Sequence, residues 1–144
     1  MEKLGHYAET LSLGEAMSAF RQRLEQDLLK CGADPEAVAD TIIALNEALV
    51  NVVRHGYRQP GSVEIILFRR GGSLLIDVFD EAPLFDPTSM PAPDISAPLA
   101  QRPFGGMGVH MMREFVDELH YQATADGRNQ LTLIKHHTFN QTDT

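Results

Sequence analysis

The sequence has little of what several classes of protein require. A single cysteine, Cys31, excludes an intramolecular disulfide and a zinc site of clustered cysteines, and we expect it to be a small packing residue of a cytoplasmic protein. Lys and Arg number 12 against 20 Asp and Glu, so the net charge of −8 argues against a nucleic-acid partner and would suit a basic protein. No apolar run approaches the roughly 20 residues that span a bilayer, and the N-terminal residues lack a signal peptide's apolar core, so no membrane partner is expected.

The remaining composition is that of an ordinary folded protein. The chain has 144 residues, 43% hydrophobic and 22% charged, which is enough for one domain with a real core, residues 1–144. The order of helical and strand patterns predicts an α+β layer, an antiparallel or mixed sheet with helices on one face. The predicted elements are a strand at 5–13, a helix from Ser12 or Gly14 to about Lys30 ended by Gly32, a helix from Asp34-Pro35 to a stop at Gly56, a hairpin of strands at 63–68 and 74–79, a helix at 109–119, and strands at 119–123 and 130–135.

Between the hairpin and the last helix these patterns break down. Six of the chain's eight prolines lie between Pro83 and Pro103, with little periodicity. The segment is therefore expected to be a long loop. A loop of that length inside a compact domain is commonly functional or disordered.

The stretch 41–56 carries two polar side chains within an apolar helix. Glu47 and Asn51 are four residues apart, so on a helix both point the same way. A carboxylate and a carboxamide are costly to bury without partners. On pattern alone, two polar residues at the exposed edge of an amphipathic helix are favoured. The functional alternative is a site in which Asn51 binds Mg²⁺ and Glu47 acts as a general base.

Two further clusters follow in the sequence. The second predicted hairpin strand ends in the acidic run Asp77–Pro83, which alone is equally compatible with an acidic turn. Gly105, Gly106 and Gly108 precede a helix, where backbone N–H groups can approach an anion. Alone, such a glycine cluster commonly forms a flexible turn, and the sequence has neither a P-loop nor a dinucleotide-binding motif.

Taken together, the three clusters resemble a known family. The segments NEALVNVVRHG, DVFDEAPLFDP and GGMGVHMMREFVDEL are similar to the N, G1 and G2 boxes of the GHKL ATP-binding superfamily. The short chain, the helix before the N box and the ending NQLTLIKHH look most like bacterial anti-sigma-factor serine/threonine kinases of the partner-switching type. The resemblance covers about residues 11–136. It implies the Bergerat-type two-layer sandwich of histidine-kinase-like ATPases, with a mostly antiparallel sheet and an ATP lid at about 83–104.

The resemblance also implies roles for individual residues. Glu47 would be the base that accepts the proton of the substrate hydroxyl. Asn51 would hold Mg²⁺ against the phosphates of ATP or ADP, and Asp80 would accept a hydrogen bond from the adenine amino group. Apart from the resemblance, the position of His55 one turn beyond Asn51 suits contact with a phosphate and, equally, a cap at the helix end. The residues expected beside the phosphates are Gly105, Gly106, Met107 and Gly108.

The sequence departs from the family pattern at two places. Ala82 stands where the G1 glycine is expected, two residues after Asp80, and its methyl group would crowd the adenine edge. The threonine that many members place beside the base has no obvious counterpart, and Asn129 and Gln130 occupy that region.

The implied function is that of an anti-sigma factor with Mg-ATP-dependent serine/threonine kinase activity. Such a chain would bind a sigma factor, phosphorylate a STAS-domain anti-anti-sigma protein, and form a homodimer in the cytoplasm. The alternative is a binding-only anti-sigma or adaptor module with the same fold and little or no kinase activity. Ala82 favours that alternative, and the pair of Glu47 and Asn51 disfavours it.

Overall fold

A computed structural model describes residues 1–89 and 106–140, with the backbone alone described at 106–108. It contains five strands and three α-helices, the second of which continues into a π-helical segment. In chain order these are β1 (Glu2–Leu11), α1 (Glu15–Lys30), α2 (Pro35–Val50), the π-helical segment (Asn51–Tyr57), β2 (Gly61–Arg70), β3 (Ser73–Asp80), a 3₁₀ turn (Pro87–Ser89), α3 (Gly106–Phe115), β4 (Glu118–Ala123) and β5 (Asn129–Lys135).

The strands form one five-stranded sheet in the order β1-β2-β3-β5-β4. All four pairings of the described strands are antiparallel, which decides between the two kinds of sheet that the sequence left open. The central strand β3 pairs with β2 through a tight turn and with β5, which lies much later in the chain. This second pairing sets Asp80 directly opposite Asn129.

The hydrophobic core lies between the sheet and the helices. Alternate residues of β2 are buried. This is the pattern expected of a strand in a sheet that has one face covered by helices, because successive side chains point to opposite faces. The α+β prediction, with helices packed on one face, is therefore confirmed. Fully buried core residues include Leu24 and Leu28 of α1, Leu45 and Leu49 of α2, Met112 of α3, and Ile65, Leu67, Ile76 and Leu133 of the sheet.

The predicted helix boundaries in the first third of the chain are confirmed by their local chemistry. Gly14 precedes α1 with a φ of 102°, and Gly32 follows it with a φ of 86°, both in the region that favours glycine. The Asp34 side chain accepts a hydrogen bond from the Ala37 N–H at 2.9 Å, and Pro35 occupies the first helical position.

Several boundaries differ from the sequence prediction, and three of them are described here. Gly56 does not end the second helix, because the helix continues to Tyr57 and Arg58 takes the left-handed conformation, with a φ of 60°. The last helix ends at Phe115 rather than 119, since the Asp117 N–H bonds to the carbonyl of Ile134 and draws the chain into β4. The first strand lies at Glu2–Leu11, earlier than the predicted 5–13.

The expectation for Cys31 is also wrong. It lies at the C-terminal cap of α1, where its side chain is exposed rather than packed. Position 31 continues the spacing of the buried residues Leu24 and Leu28, but α1 ends at Lys30, so Cys31 lies past the last helical residue. Within the described parts of the chain, no helix combines the length and apolar character of a membrane span.

Candidate functional site

A cavity of about 710 Å³ opens where the end of the second helix meets the end of β3. This volume lies within the range of small-molecule sites in proteins. Its wall comes from the end of the second helix, from β3 and the segment after it, from the start of α3, and from strands β4 and β5. The lining residues discussed below are Ala48, Asn51, Val52, His55, Gly56, Arg58, Asp80, Ala82, Phe85, Val109, Tyr121 and Asn129.

One face of the second helix forms the first wall. Ala48, Asn51, Val52 and His55 recur at spacings of three and one, so they share a face. The helix changes from α to π at Asn51, in the middle of this wall. Short π segments within helices occur frequently at functional sites. The Asn51 side chain makes no hydrogen bond to the described residues and is half-buried at the cavity, so its carboxamide is available to a ligand.

Asp80 ends β3 and forms the opposite wall, with only 7% of its surface exposed. Its Oδ1 accepts hydrogen bonds from the Ala82 N–H at 3.0 Å and from the Asn129 amide at 2.9 Å. Burial raises the pKa of the Asp80 carboxyl above its usual value, and these two hydrogen bonds lower it again in part. Because the bonds to described residues all end on Oδ1, Oδ2 is the atom left for a ligand.

Asn129 is the most densely bonded side chain of the site and is itself buried. Its amide nitrogen donates to Asp80 Oδ1 at 2.9 Å and to the carbonyls of Ala82 at 3.1 Å and Pro83 at 3.3 Å. Its amide oxygen accepts from the Phe85 N–H at 3.0 Å and from the Tyr121 hydroxyl at 2.6 Å. The side chain therefore ties the segment after β3 to both β4 and β5.

Ala82 lines the cavity, but its side chain is buried against Gly56 at the end of the helix. A Cβ added to Gly56 would lie 2.9 Å from the Ala82 Cβ, closer than real Cβ contacts. The methyl group of Ala82 thus occupies the space that the absence of a side chain at Gly56 provides. This contact also places the C-terminal end of the helix beside Asp80.

Two basic residues complete the helix side of the cavity. His55 lies on the wall, and its pKa is lowered by burial, by Arg54 and by Arg58. The lowered pKa favours the uncharged form of the His55 imidazole. Arg58 lies on the wall as a cation just after the helix, where its left-handed backbone turns the chain towards β2.

The structure brings together some of the predicted site residues and not others. Asn51, His55, Asp80 and Ala82 line one cavity. Glu47, one turn before Asn51, is half-buried but is not among the lining residues. Val109 of α3 lies on the wall, so the start of α3 approaches the cavity. Gly106 and Gly108 belong to that first turn, while Gly105, the Met107 side chain and the 90–104 part of the expected lid lie outside the described residues.

Sequence reasoning missed Tyr121 and Arg58, and it named Asn129 without a role. Asn129 could be connected with Asp80 only through the pairing of β3 with β5, which joins residues 49 positions apart. Nothing in the sequence marked Tyr121 as a site residue, because tyrosine is common in strands. Among the described residues, no group of three or more His, Cys, Asp or Glu side chains is arranged to hold a metal ion.

Comparison with known proteins agrees with this geometry. The family described as "Histidine kinase-like ATPase domain" matches residues 11–135. The serine/threonine-protein kinase BtrW of Bordetella bronchiseptica is 31% identical over 96 residues, 65% of this chain and 67% of that protein. The anti-sigma F factor of a Thermoanaerobacter species is 30% identical over 102 residues, 70% of this chain and 71% of that protein.

Two further comparisons extend the likeness. The serine-protein kinase RsbW of Bacillus cereus is 29% identical over 87 residues, 57% of this chain and 54% of that protein. The crystal structure of the RsbU and RsbW domains of Rv1364c from Mycobacterium tuberculosis superposes with a TM-score of 0.60 at 23% identity, over 92% of this chain and 32% of that one. That last likeness supports the fold.

The chain belongs to the histidine kinase-like ATPase family. Among the relatives named above, those of the anti-sigma and serine/threonine kinase type cover most of the chain, so the GHKL anti-sigma kinase resemblance is confirmed. An ATPase domain implies a binding site for ATP.

Proposed function

We propose that this chain is an anti-sigma factor with Mg-ATP-dependent serine/threonine kinase activity, which phosphorylates a STAS-domain anti-anti-sigma protein. The observation that carries the proposal is the buried Asp80 carboxylate, held through Oδ1 at the wall of a nucleotide-sized cavity in a chain of this family. An ionised carboxylate with one free oxygen suits the amino group of adenine.

The proposed orientation of the nucleotide starts from Asp80, whose remaining oxygen would accept the hydrogen bond from the adenine amino group. The contact between Gly56 and Ala82 supports this orientation, because it brings the end of the helix close to the place where the base would lie. The phosphates would then extend towards Asn51 and the first turn of α3, where backbone N–H groups and the helix dipole favour negative charge. Because the lowered pKa of His55 disfavours its charged form, we assign His55 to the base or ribose rather than to a phosphate, which changes the expectation from the sequence.

Magnesium fits the residues present. Mg²⁺ commonly binds proteins through one or two side chains and takes its other ligands from water and phosphate oxygens. Asn51 offers such an oxygen from a carboxamide that is free of other hydrogen bonds among the described residues. When bound there with the nucleotide, the ion would offset negative charge on the phosphates.

In the proposed reaction, this chain positions the two substrates and accepts one proton. Glu47 takes the proton of the seryl or threonyl hydroxyl, and the hydroxyl oxygen attacks the γ-phosphorus of ATP while ADP leaves. Glu47 lies one helical turn from Asn51, on the side of the cavity where the γ-phosphate would be. Because it is outside the lining, the protein substrate would reach it from beyond the cavity wall.

The proposed partners are a sigma factor and a STAS-domain antagonist, and the proposed assembly is a homodimer. Support comes from the relatives, one of which is named an anti-sigma F factor and others serine-protein kinases. The chain's net charge of −8 suits a partner with a basic surface.

The alternative is a binding-only module of the same fold. One observation favours it, because Glu47 is not among the residues that line the cavity. The sequence offered a second argument for this alternative, namely that the Ala82 methyl group would crowd the adenine edge. That argument is weaker in the structure, because the methyl group packs into the space at Gly56.

The test combines calorimetry with phosphotransfer. We expect ATP and ADP to bind with micromolar affinity only when Mg²⁺ is present, and labelled γ-phosphate to pass to a STAS protein from the same genome. Glu47→Gln should abolish transfer, at least roughly a hundredfold, with nucleotide affinity nearly unchanged, because a general base commonly contributes that much. Asn51→Ala should weaken Mg-nucleotide binding itself.

Two results would contradict the proposal in different places. Transfer by Glu47→Gln at the wild-type rate would remove Glu47 as the base. Tight nucleotide binding without any transfer by the wild-type chain would favour the binding-only alternative.

A further inference from the structure

We infer that Asn129 is a positioning residue that fixes Asp80 with a single oxygen towards the base, and that this makes the site select adenosine over inosine nucleotides. The inference rests on the proposed nucleotide site and adds a residue to it. Asn129 would act through Asp80, without contacting the nucleotide itself.

The hydrogen bonds of Asn129 fix its orientation. Its nitrogen faces three acceptors, Asp80 Oδ1 and the carbonyls of Ala82 and Pro83, and its oxygen faces two donors, the Phe85 N–H and the Tyr121 hydroxyl. A flipped amide would set its oxygen against three other oxygens. The donor end of Asn129 therefore always points to Asp80.

This orientation decides which atom of Asp80 is available. Oδ1 already accepts two hydrogen bonds, from Ala82 and from Asn129, so the carboxylate cannot rotate without losing both. The remaining oxygen, Oδ2, faces a ligand as a pure acceptor while Asp80 is ionised. The amide of Asn129 favours that ionised state, because it donates to the carboxylate.

A fixed acceptor discriminates between purine bases at position 6. Adenine carries an amino donor there, whereas hypoxanthine carries a carbonyl oxygen, which an ionised carboxylate repels. A site that leaves a polar group unpaired with the wrong substrate discriminates strongly. The donor end of Asn129, which keeps Asp80 ionised and oriented, thus determines the preference.

The substitution Asn129→Asp isolates that donor end. The new side chain has the same shape and still accepts from Phe85 and Tyr121, but it can no longer donate to Asp80. It instead brings a second carboxyl within hydrogen-bond distance of the first, and two such groups share one proton with a raised apparent pKa. A protonated Asp80 can donate to the carbonyl oxygen of hypoxanthine, so the preference for adenosine should fall.

The other titratable groups that line the cavity are His55, Tyr121 and Arg58. Burial and the neighbouring Arg54 and Arg58 lower the pKa of His55 below its ordinary value of 6.5, which favours the uncharged imidazole above that pH. Burial, Asp86 and Asp80 raise the pKa of Tyr121 above its ordinary value of 10, which favours the uncharged phenol. Arg58 contributes a guanidinium, a group that is always protonated in proteins. A change of preference between about pH 6.5 and pH 8.5 would therefore report the two carboxyls.

The experiment measures ADP and IDP binding with Mg²⁺ by calorimetry across that pH range. For the wild type we expect a clear preference for ADP that changes little with pH. For Asn129→Asp we expect roughly a tenfold loss of ADP affinity, since a hydrogen bond to a charged group is lost, and a preference that shrinks further as the pH falls. The matched control is Gln130→Glu, which adds the same charge one residue along, on the other face of β5.

Each outcome is decisive. An Asn129→Asp protein that keeps the wild-type preference and its pH profile would overturn the role of Asn129 alone. Wild-type protein that binds neither nucleotide would overturn the proposed site and this inference with it. If Asn129→Asp fails to fold, as judged by circular dichroism, Asn129→Ala gives the same comparison. That variant should also lose preference for ADP, and an unchanged ratio would contradict the inference.

Discussion

At the scale of single residues, Gly56 and Ala82 behave as one unit. The 2.9 Å that would separate their Cβ atoms means that both positions can carry a methyl group only if the surrounding structure shifts. We expect Gly56→Ala to lower the free energy of unfolding by about 1–3 kcal/mol, the usual cost of overpacking. It should also weaken nucleotide binding, since both residues line the cavity.

The double variant Gly56→Ala, Ala82→Gly tests whether this cost is the contact itself. We expect it to recover most of the lost stability, with a coupling of at least about 0.5 kcal/mol in a double-mutant cycle followed by urea denaturation. Ala82→Gly alone supplies the matched control. Strict additivity of the two substitutions would show that the methyl groups do not compete for one space.

The same pair shows what a sequence can and cannot say about a residue. The pattern identified Ala82 as a departure from the family glycine and predicted crowding at the adenine edge. The direction of its methyl group depends on the residue it meets, Gly56, which lies 26 positions earlier. Asn129 is the same case, since its partner Asp80 is set by strand register and not by any local motif.

At the scale of elements, the N-terminal cap of α2 was predicted correctly from the local sequence. Asp34 accepts from the Ala37 N–H, so Asp34→Ala should lower the free energy of unfolding by about 1 kcal/mol. Nucleotide affinity should be nearly unchanged, because the cap lies at the opposite end of α2 from Asn51. Urea denaturation and calorimetry on the same protein measure the two quantities.

Glu36→Ala is the control for that prediction. Glu36 is exposed in the same first turn, so its removal takes away one negative charge near the helix N-terminus but no capping bond. Its cost should be a few tenths of a kcal/mol. Equal losses from both variants would mean that charge, and not the hydrogen bond of Asp34, stabilises this helix end.

Elements whose ends depend on distant partners were predicted less well. The helix expected at 109–119 stops at Phe115, because β4 pairs with β5 from Glu118 onwards. The second helix continues past Gly56, because this glycine does not adopt the left-handed conformation that ends a helix. Its missing side chain instead leaves room for the Ala82 methyl group. Capping residues and turns act over a few positions and can be read locally, whereas strand pairing cannot.

At the scale of the whole molecule, binding and folding make opposite demands on Asp80. Its pKa is raised by burial, so the ionised form destabilises the folded protein above the carboxyl's ordinary pKa of 3.8. We expect Asp80→Asn, which keeps the shape, to make the nucleotide-free protein more stable at neutral pH. This advantage should disappear as the pH falls below about 4, where the carboxyl is neutral in both states.

Nucleotide should reverse that order. Wild-type protein should gain about 2.7 kcal/mol in free energy of unfolding at a Mg-ADP concentration a hundredfold above Kd. Asp80→Asn should gain little or nothing, because its side chain presents an amide towards the adenine amino group. Urea denaturation with and without Mg-ADP measures both effects, and equal stabilisation of the two proteins would contradict the assignment of Asp80 to the base.

The exchange of space between Gly56 and Ala82 also constrains how this chain can have changed through descent. A lineage acquires the methyl group at position 82 without the cost of overpacking only while position 56 is a glycine, and the reverse holds for position 56. The passage from one arrangement to the other avoids that cost only through a protein with glycine at both places. Which amino acid is acceptable at either position thus depends on history, and a substitution harmless in one relative can be damaging in this chain.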